Sequence, residues 1–191
     1  AVQHAWAHRS IYPTVRDRLA EATRACPFGD PSLESTVCGP LIDEEAASKV
    51  QRMVDEAVAA GAKVLAGARC EGSLMSPTLL EGVPGNVELS CEEVFGPVLT
   101  VAPYDAIEEV FEAVNASAYG IHAGIFTRDL QLAEQAFQNL EVGGVIVNDY
   151  PTLRFDNMPY GGVRRSGFGR EGVRYAMDEM TEPRVRIDRL T

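Results

Sequence analysis

The sequence has 191 residues, of which 46% are hydrophobic and 24% charged, and this composition excludes a disordered chain. Its 17 basic and 28 acidic residues give a net charge of −11, which argues against a nucleic-acid partner because phosphate contacts need clustered lysine and arginine. No apolar run reaches the length of a membrane span, so we predict no membrane partner and a cytoplasmic location.

Strand-like alternation and helical periodicity take turns along the chain, which is the pattern of an α/β domain. In chain order, we predict a strand at 3–9, a helix from Ser10 or Pro13 to about 25, a helix beginning at 43–45 and ending before Gly61, strands at 63–66, 77–81 and 98–104, a helix after Asp105, a strand at 120–126, a helix after Asp129, a strand at 144–147, a helix at 170–180 and a strand at 184–187. The apolar run at 144–147 is typical of a strand buried in a parallel sheet.

Acidic residues mark the predicted helix starts. Asp43 precedes two glutamates, Asp105 and Glu108 have the spacing of a capping box, and Asp129 precedes another amphipathic stretch. The faces that we expect to be buried carry the residues Ala46, Val50, Met53, Val54, Ala57 and Val58, then Ile107, Val110, Phe111 and Val114, then Leu132, Ala133, Ala136, Phe137 and Leu140.

His4 and His8 have the i,i+4 spacing of a helical metal site, but the intervening Trp6 and the strand-like pattern argue against one. His4, Trp6 and His8 alternate along a predicted strand, which indicates a packed face rather than a set of ligands. The four cysteines form no CxxC pair, and a chain of this length needs no disulfide framework to bury a core.

Residues 149–169 combine proline, glycine and aromatics without periodicity, which predicts a long loop, and such loops are usually functional. The following segment, 167–172, satisfies the GxGxxG spacing of dinucleotide-binding folds. That motif has to leave a strand and open a βαβ unit, and the local pattern offers neither. These glycines therefore indicate tight turns and close backbone approach.

The segment EEVFGPV at 92–98 contains two adjacent acids, an aromatic and a Gly-Pro turn leading into an apolar strand. If this stretch is extended, Glu93 and Phe95 point the same way. An acid and an aromatic on one face could hold a ribose diol and cover a flat ring. The alternative is a solvent-facing acid beside a core phenylalanine.

These motifs together resemble the C-terminal half of an NAD(P)-dependent aldehyde dehydrogenase. The matching features, in the family's order, are GDP at 29–31, GPLI at 39–42, EEVFGPV at 92–98, Asn115, Tyr119-Gly120, Phe126-Thr127, Gly143-Gly144, Val147-Asn148 and MPYGGVRRSGFGREG at 158–172. The resemblance covers essentially the whole chain. It implies a mostly parallel sheet flanked by helices, with a catalytic domain at 1–181 and an oligomerisation strand and tail at 182–191.

The resemblance also implies site residues. Glu93 corresponds to the glutamate that binds the nicotinamide ribose, and Phe95 to the aromatic beside the nicotinamide ring. Asn148 falls at the end of the substrate-loop strand, and Tyr160 corresponds to an aromatic of the aldehyde tunnel. Glu171 corresponds to a carboxylate for which a catalytic proton-relay role has been considered. A structural role for Glu171, bonded to helix-start backbone or to Arg170, is the alternative.

Two features depart from the family pattern. After Gly161-Gly162 the family usually has an aromatic and a lysine, whereas this chain has Val163 and Arg164. This variant is closest to dehydrogenases of lactaldehyde, phosphonoacetaldehyde or semialdehydes. The family's nucleophilic cysteine would lie just before residue 1, and Cys91 cannot replace it because adjacent carboxylates disfavour a thiolate.

The resemblance therefore implies an enzyme that oxidises an aldehyde to a carboxylic acid with NAD or NADP, through a cysteine thioester, as a homo-oligomer (dimer or tetramer). We expect this chain alone to be inactive, because the nucleophile, the general base and the main cofactor domain would lie upstream. The alternative is a non-catalytic interaction module that assembles with full-length subunits.

Overall fold

A computed structural model describes residues 2–189, and the chain divides into two units, Ala1–Glu112 and Ala113–Thr191. The elements in chain order are β1 (His4–His8), α1 (Tyr12–Ala25), α2 (Glu44–Ala59), β2 (Lys63–Ala66), β3 (Cys70–Glu71), β4 (Leu74–Met75), β5 (Thr78–Glu81), α3 (Glu88–Cys91), β6 (Val98–Tyr104), α4 (Ile107–Asn115), β7 (His122–Ile125), α5 (Leu130–Asn139), β8 (Gly144–Val147), a 3-10 turn (Arg164–Ser166) and α6 (Val173–Glu179). The predicted α/β class is confirmed.

The first unit is built on a four-stranded sheet in the order β1-β6-β5-β2. Strands β1, β6 and β5 are parallel, with His4 opposite Thr100 and Thr78 opposite Val98, whereas β2 is antiparallel to β5. The prediction of a mostly parallel sheet thus holds for β1, β6 and β5. Strands β3 and β4 form a separate antiparallel hairpin that the sequence pattern did not predict.

Both faces of this sheet are covered. Leu80 belongs to a buried cluster with Val50 and Met53 of α2, whereas the preceding Leu79 belongs to a second cluster with Ala20 of α1. Successive strand residues point to opposite faces, so one short strand supplies two cores. This arrangement explains why β5 carries two adjacent leucines instead of alternating apolar and polar residues.

Most predicted helix starts are correct. Asp43 accepts a hydrogen bond from the amide of Ala46 at 2.7 Å, and Asp129 accepts one from Gln131 at 2.8 Å. The predicted capping box at Asp105 and Glu108 is wrong. The Asp105 carboxylate instead binds the Arg9 guanidinium through two bonds of 2.6 and 2.7 Å, and this cation lowers the pKa of Asp105.

The predicted buried faces are only partly buried. On α2, Val58 is exposed and Ala47 is buried in addition to the predicted residues, while α4 buries only Phe111 and α5 only Ala136. Phe137, which we expected in a core, is 67% exposed. The apolar spacing identified the helices but not what covers each of them.

His4 and Trp6 lie side by side on β1 as predicted, with ring centroids 5.7 Å apart, and His4 Nδ1 bonds the Thr100 hydroxyl at 2.8 Å. Burial lowers the pKa of His4, so its imidazole is neutral at physiological pH. Among residues 2–189, no group of three or more His, Cys, Asp or Glu side chains could hold a metal ion, and no helix is long and apolar enough to cross a membrane.

The second unit contains the parallel pair β7-β8, in which His122 lies opposite Gly144 and Ile125 opposite Val147. The predicted helix at 170–180 is shorter, because α6 spans Val173–Glu179. The strand predicted at 184–187 is not formed in the single chain, where residues 181–189 have no regular secondary structure, and its pairing with another subunit stays a prediction. A strand forms only where a second strand pairs with it, and none does so among the described residues. Residues 190 and 191 of the predicted tail lie outside the described residues.

The completely buried Leu80 gives a test of the first unit's core. Leu80→Ala is expected to lower the free energy of unfolding by about 2–5 kcal/mol, because it leaves a cavity between the sheet and α2. Urea denaturation followed by the fluorescence of Trp6, the single tryptophan, reports on this unit. Leu33→Ala, at a site 56% exposed, is the control and should change this value by less than about 0.5 kcal/mol. Equal effects of the two changes would contradict this account of the core.

Candidate functional site

The segment 92–97 connects α3 to β6 without regular secondary structure. Within it, Val94 is buried in the α2 cluster, whereas Glu93 is exposed and Phe95 is 79% exposed. The segment is not the extended strand on which the alternation argument depended, and Phe95 is not a core residue. Glu93 and Phe95 nevertheless both lie outside the core, because the buried residue between them anchors the segment.

The backbone at Phe95 is strained. Its φ of +53° lies in the left-handed region, which costs a residue other than glycine about 1–2 kcal/mol. The next residue, Gly96, has no room for a side chain, because a Cβ there would lie 2.9 Å from the methyl groups of Val50. This close packing against α2 fixes the turn that presents Phe95, and strain held in place by packing is frequent at ligand-binding positions.

Gln3 holds this segment from the opposite end of the unit's sequence. Its Nε2 donates to the carbonyl oxygen of Glu92, and its Oε1 accepts from the amide of Val94, both at 3.0 Å. The two bonds therefore flank Glu93. The Glu93 carboxylate itself has no hydrogen bond or ion pair within residues 2–189, so both of its oxygens are available to a ligand.

In the second unit, the long loop is fastened by close backbone contacts. A Cβ on Gly143 would overlap the carbonyl oxygen of Gly161, so only glycine allows the loop to lie against β8 there. Ser166 Oγ accepts from the amide of Gly120 at 2.9 Å, and the amide of Val163 donates to the Gly120 carbonyl at 3.0 Å. As predicted, the GxGxxG segment follows no strand, because the 3-10 turn precedes it.

Tyr160 and Glu171 meet across this loop. They pair as an antiparallel bridge with backbone bonds of 3.0 and 2.6 Å, and the Glu171 carboxylate binds Arg154 at 2.6 Å. The Arg154 guanidinium also lies over the Tyr160 ring, 4.4 Å from its centroid. Glu171 therefore pairs with Arg154, not with Arg170 as the structural alternative supposed, since Arg170 donates to the carbonyls of Gly162 and Gly169.

Arg154 is a candidate site residue that the sequence pattern did not single out. Its side chain is 49% exposed and combines an ion pair with a cation–π contact on the predicted tunnel aromatic. His122 is a second one. Its ring meets Tyr160 edge-on at 5.0 Å and its Nδ1 bonds the Pro151 carbonyl, while its buried Nε2 has no partner within the described part of the chain. A lone arginine in a non-periodic loop and a histidine in a strand give no sequence signal of these contacts.

Asn148 lies directly after β8, as predicted, in the left-handed conformation at φ +59°, which asparagine tolerates well. Its side-chain Oδ1 accepts a hydrogen bond from the backbone amide of Thr127 at 2.9 Å. Its backbone amide donates one to the carbonyl oxygen of Ile125 at 2.7 Å. The side chain thus joins the end of β8 to the segment between β7 and α5. This contact gives Asn148 a structural role, and its contact with substrate stays a prediction.

Comparison with known proteins gives a consistent result. Residues 1–185 match the aldehyde dehydrogenase family model. The 3-sulfolactaldehyde dehydrogenase of Priestia aryabhattai is 45% identical over 97% of this chain and 39% of its own length. The lactaldehyde dehydrogenase of Methanococcus aeolicus is 39% identical over 87% of this chain and 36% of its own length. The chain thus spans well under half the length of these relatives.

Solved structures agree. Aldehyde dehydrogenase 21 of Physcomitrella patens, in complex with the product succinate, has a TM-score of 0.92 at 43% identity over 94% of this chain and 37% of that one. The glyceraldehyde-3-phosphate dehydrogenase GapN of Methanocaldococcus jannaschii, complexed with NADP, has 0.88 at 38% identity over 93% and 38%. An NAD+ complex of an aldehyde dehydrogenase from Bacillus cereus has 0.88 at 35% identity over 94% and 37%.

The motifs at 92–98 and 158–172, the α/β fold that presents them and the match over residues 1–185 lead to one conclusion: this chain belongs to the aldehyde dehydrogenase family.

Proposed function

We propose that this chain is the C-terminal part of an NAD(P)-dependent aldehyde dehydrogenase that oxidises an aldehyde to a carboxylic acid. The observation that carries the proposal is the paired exposure of Glu93 and Phe95 on a segment fixed by Val94, Gly96 and Gln3. A vicinal diol needs two adjacent acceptor oxygens, and a flat ring needs an exposed aromatic face. This segment offers both within three residues.

The chain's own residues would bind and orient. The Glu93 carboxylate accepts hydrogen bonds from the nicotinamide ribose hydroxyls, and Phe95 covers one side of the ring, which limits the positions that the ring can take. The nicotinamide, when bound, supplies a hydride acceptor. Tyr160 and Asn148 would line the approach of the aldehyde, and Glu171, whose carboxylate binds Arg154, would exchange protons with water.

The covalent chemistry would need residues outside this chain. In the reaction that we propose, a cysteine thiolate would add to the aldehyde carbon, that carbon would give up a hydride to the oxidised nicotinamide, and water would cleave the resulting thioester to give the acid and regenerate the thiol. All four cysteines of this chain are free thiols, and the Cys91 thiol donates a hydrogen bond to the Gly85 carbonyl oxygen at 3.2 Å. None of the four thiols has the surroundings of an activated nucleophile, such as a neighbouring histidine or cation that favours the thiolate.

Exposed apolar side chains support assembly with further protein. In the second unit, Phe137 and Phe168 are largely exposed, as are Met180 and Ile187 of the C-terminal segment. Large apolar patches on a surface are typical of interfaces. We propose that the 184–187 segment pairs with a sheet of a neighbouring subunit, which would give it the strand partner that it lacks in the single chain, and that the enzyme is a cytoplasmic homo-oligomer.

The substrate is proposed to be a small aldehyde with an anionic tail. Sulfolactaldehyde, glyceraldehyde 3-phosphate and succinate, which appear in the names of similar proteins, all carry one. The Arg154 guanidinium lies over the Tyr160 ring. Only some of its five N–H groups are used in bonding Glu171. A sulfonate or carboxylate could be bound by the remaining donors. Lactaldehyde, also named among the relatives, has no such charge.

The isolated chain provides the first test. The purified 191-residue protein is expected to form no NAD(P)H from aldehydes, because on this proposal the nucleophile and the general base lie outside these residues. The measurement is absorbance at the nicotinamide band with several small aldehydes, and the proposed longer enzyme is the positive control. Clear turnover that thiol blocking abolishes would refute the proposal. A start codon directly before residue 1 would favour the interaction module instead.

Glu93 provides the second test. In the longer enzyme, Glu93→Gln is expected to slow hydride transfer by roughly 10- to 100-fold, because a less firmly held ribose misplaces the ring, while the fold stays intact. Stopped-flow formation of NAD(P)H measures this rate and circular dichroism checks the fold. Glu71→Gln, at an exposed hairpin position of the same unit, is the matched control. Unchanged kinetics in Glu93→Gln would count against the assigned role.

Arg154 provides the third test. Arg154→Met in the longer enzyme is expected to raise KM for 3-sulfolactaldehyde by roughly 10- to 100-fold, since a charge-assisted hydrogen bond is lost. KM for the neutral lactaldehyde should change much less. Arg174→Met, at an exposed position of α6, removes the same charge elsewhere in the unit and serves as control. Equal changes for both aldehydes would mean that Arg154 does not select the anionic tail.

A further inference from the structure

The Gln3 side chain makes two hydrogen bonds to the backbone of the 92–97 segment. The donor end of its amide meets a carbonyl, Glu92 O, and the acceptor end meets an N–H, that of Val94, each at 3.0 Å. The two backbone groups are complementary to the amide, so its orientation follows from the chemistry of its partners. The bonds connect positions 89 and 91 residues apart in sequence.

We call these two side-chain bonds the Gln3 clamp. The backbone of Gln3, from which its side chain extends, is itself held by the sheet. The Gln3 carbonyl accepts from the amide of Thr100 at 2.9 Å, and His4 is the first residue of β1 to pair with β6. The Gln3 side chain therefore extends from the residue just before β1 to the segment just before β6. A side chain that starts from a fixed backbone loses less freedom when it bonds, so its hold on the segment is firmer.

The C-terminal end of the segment has backbone partners of its own, because the Thr78 amide donates to the Pro97 carbonyl and the Val98 amide to the Gly96 carbonyl, both at 2.8 Å. Helix α3 ends with the bond from the Glu92 amide to Glu88 at 2.9 Å, and the strand pairing of β6 begins only at Val98. Between these points, the Gln3 amide satisfies one backbone group on each side of Glu93. Val94 is 2% exposed, so its amide has no ready access to water as a substitute partner.

We propose that Gln3 is a positioning residue that sets the place of the Glu93 carboxylate for the cofactor ribose. This inference rests on the proposed function, because it assumes that Glu93 binds the ribose. Gln3 does not touch the cofactor. It fixes the two peptide units on either side of Glu93, and so the position and direction from which the exposed Glu93 side chain reaches towards the ribose.

The first experiment measures cofactor binding to the longer enzyme. Gln3→Met keeps the length of the side chain and removes both polar ends, and it is expected to raise Kd for NAD+ or NADP+, whichever the wild type binds, by about tenfold. KM for the aldehyde should stay within about twofold, since the substrate side is untouched. Gln138→Met is the matched control, because Gln138 bonds only Glu134 on the surface of α5.

A double-mutant cycle then tests whether Gln3 acts through Glu93. In the Glu93→Gln background, Gln3→Met should add less than about twofold to Kd, because the group that it positions is already lost. Effects that multiply independently would overturn the inference. So would an unchanged Kd in Gln3→Met when Glu93→Gln alone weakens binding, and that result would leave the proposed function standing. If Glu93→Gln alone has no effect, the proposed role of Glu93 fails and the inference falls with it.

Hydrogen exchange keeps the proposal testable if Gln3→Met folds poorly. In the wild-type protein the amide of Val94 should exchange slowly, as a bonded and buried N–H does. In Gln3→Glu, which retains length and an acceptor but loses the donor, exchange across 92–97 should accelerate while β6 stays protected. Rapid exchange of the Val94 amide in the wild type would overturn the clamp itself.

Discussion

The parallel pairing of β1 with β6 is the constraint on which the first unit depends. It places His4 opposite Thr100, and so joins the start of the described chain to a strand 96 positions later. The partner strand β6 is central in the sheet, and like β5 it contributes residues to both buried clusters, the one with α2 and the one with α1. The same pairing brings Gln3 within hydrogen-bond distance of the segment before β6. The presentation of Glu93 is therefore a consequence of sheet register.

The second unit fixes its functional loop by other means. Its sheet has only two strands, and its long loop is held by close backbone approach at Gly143 and by side chains bonded to backbone, such as Ser166 to Gly120. The loop thereby keeps a defined path without regular secondary structure. Tyr160 makes a T-shaped contact with the His122 ring and a cation–π contact with Arg154, and both restrict the position of its ring. Functional loops on rigid scaffolds are commonly built in this way.

Sequence periodicity predicted the elements well and their surroundings poorly. All the long strands and helices of the first unit, and the cap residues Asp43 and Asp129, follow from local spacing and short-range chemistry. The prediction of a helix cap at Asp105 was wrong because a distant arginine, Arg9, binds the same carboxylate. The predicted burial of Phe137 was wrong because apolar spacing identifies the face of α5 that should be covered, but not the part of the protein that covers it. The hairpin β3-β4 and the one-turn α3 are too short for any period to appear.

By itself, the sequence determined the α/β class, the family and the positions of Glu93, Phe95, Asn148, Tyr160 and Glu171, because motifs and periodicity are local properties of a chain. Only the tertiary structure decided that Phe95 adopts a left-handed backbone outside the core, that Glu171 pairs with Arg154, and that Gln3 bonds on both sides of Glu93. These contacts join residues 17 to 91 positions apart, and nothing in local composition encodes which distant groups a fold will bring together. The physical reason is that such bonds depend on register and packing, which the whole chain sets at once.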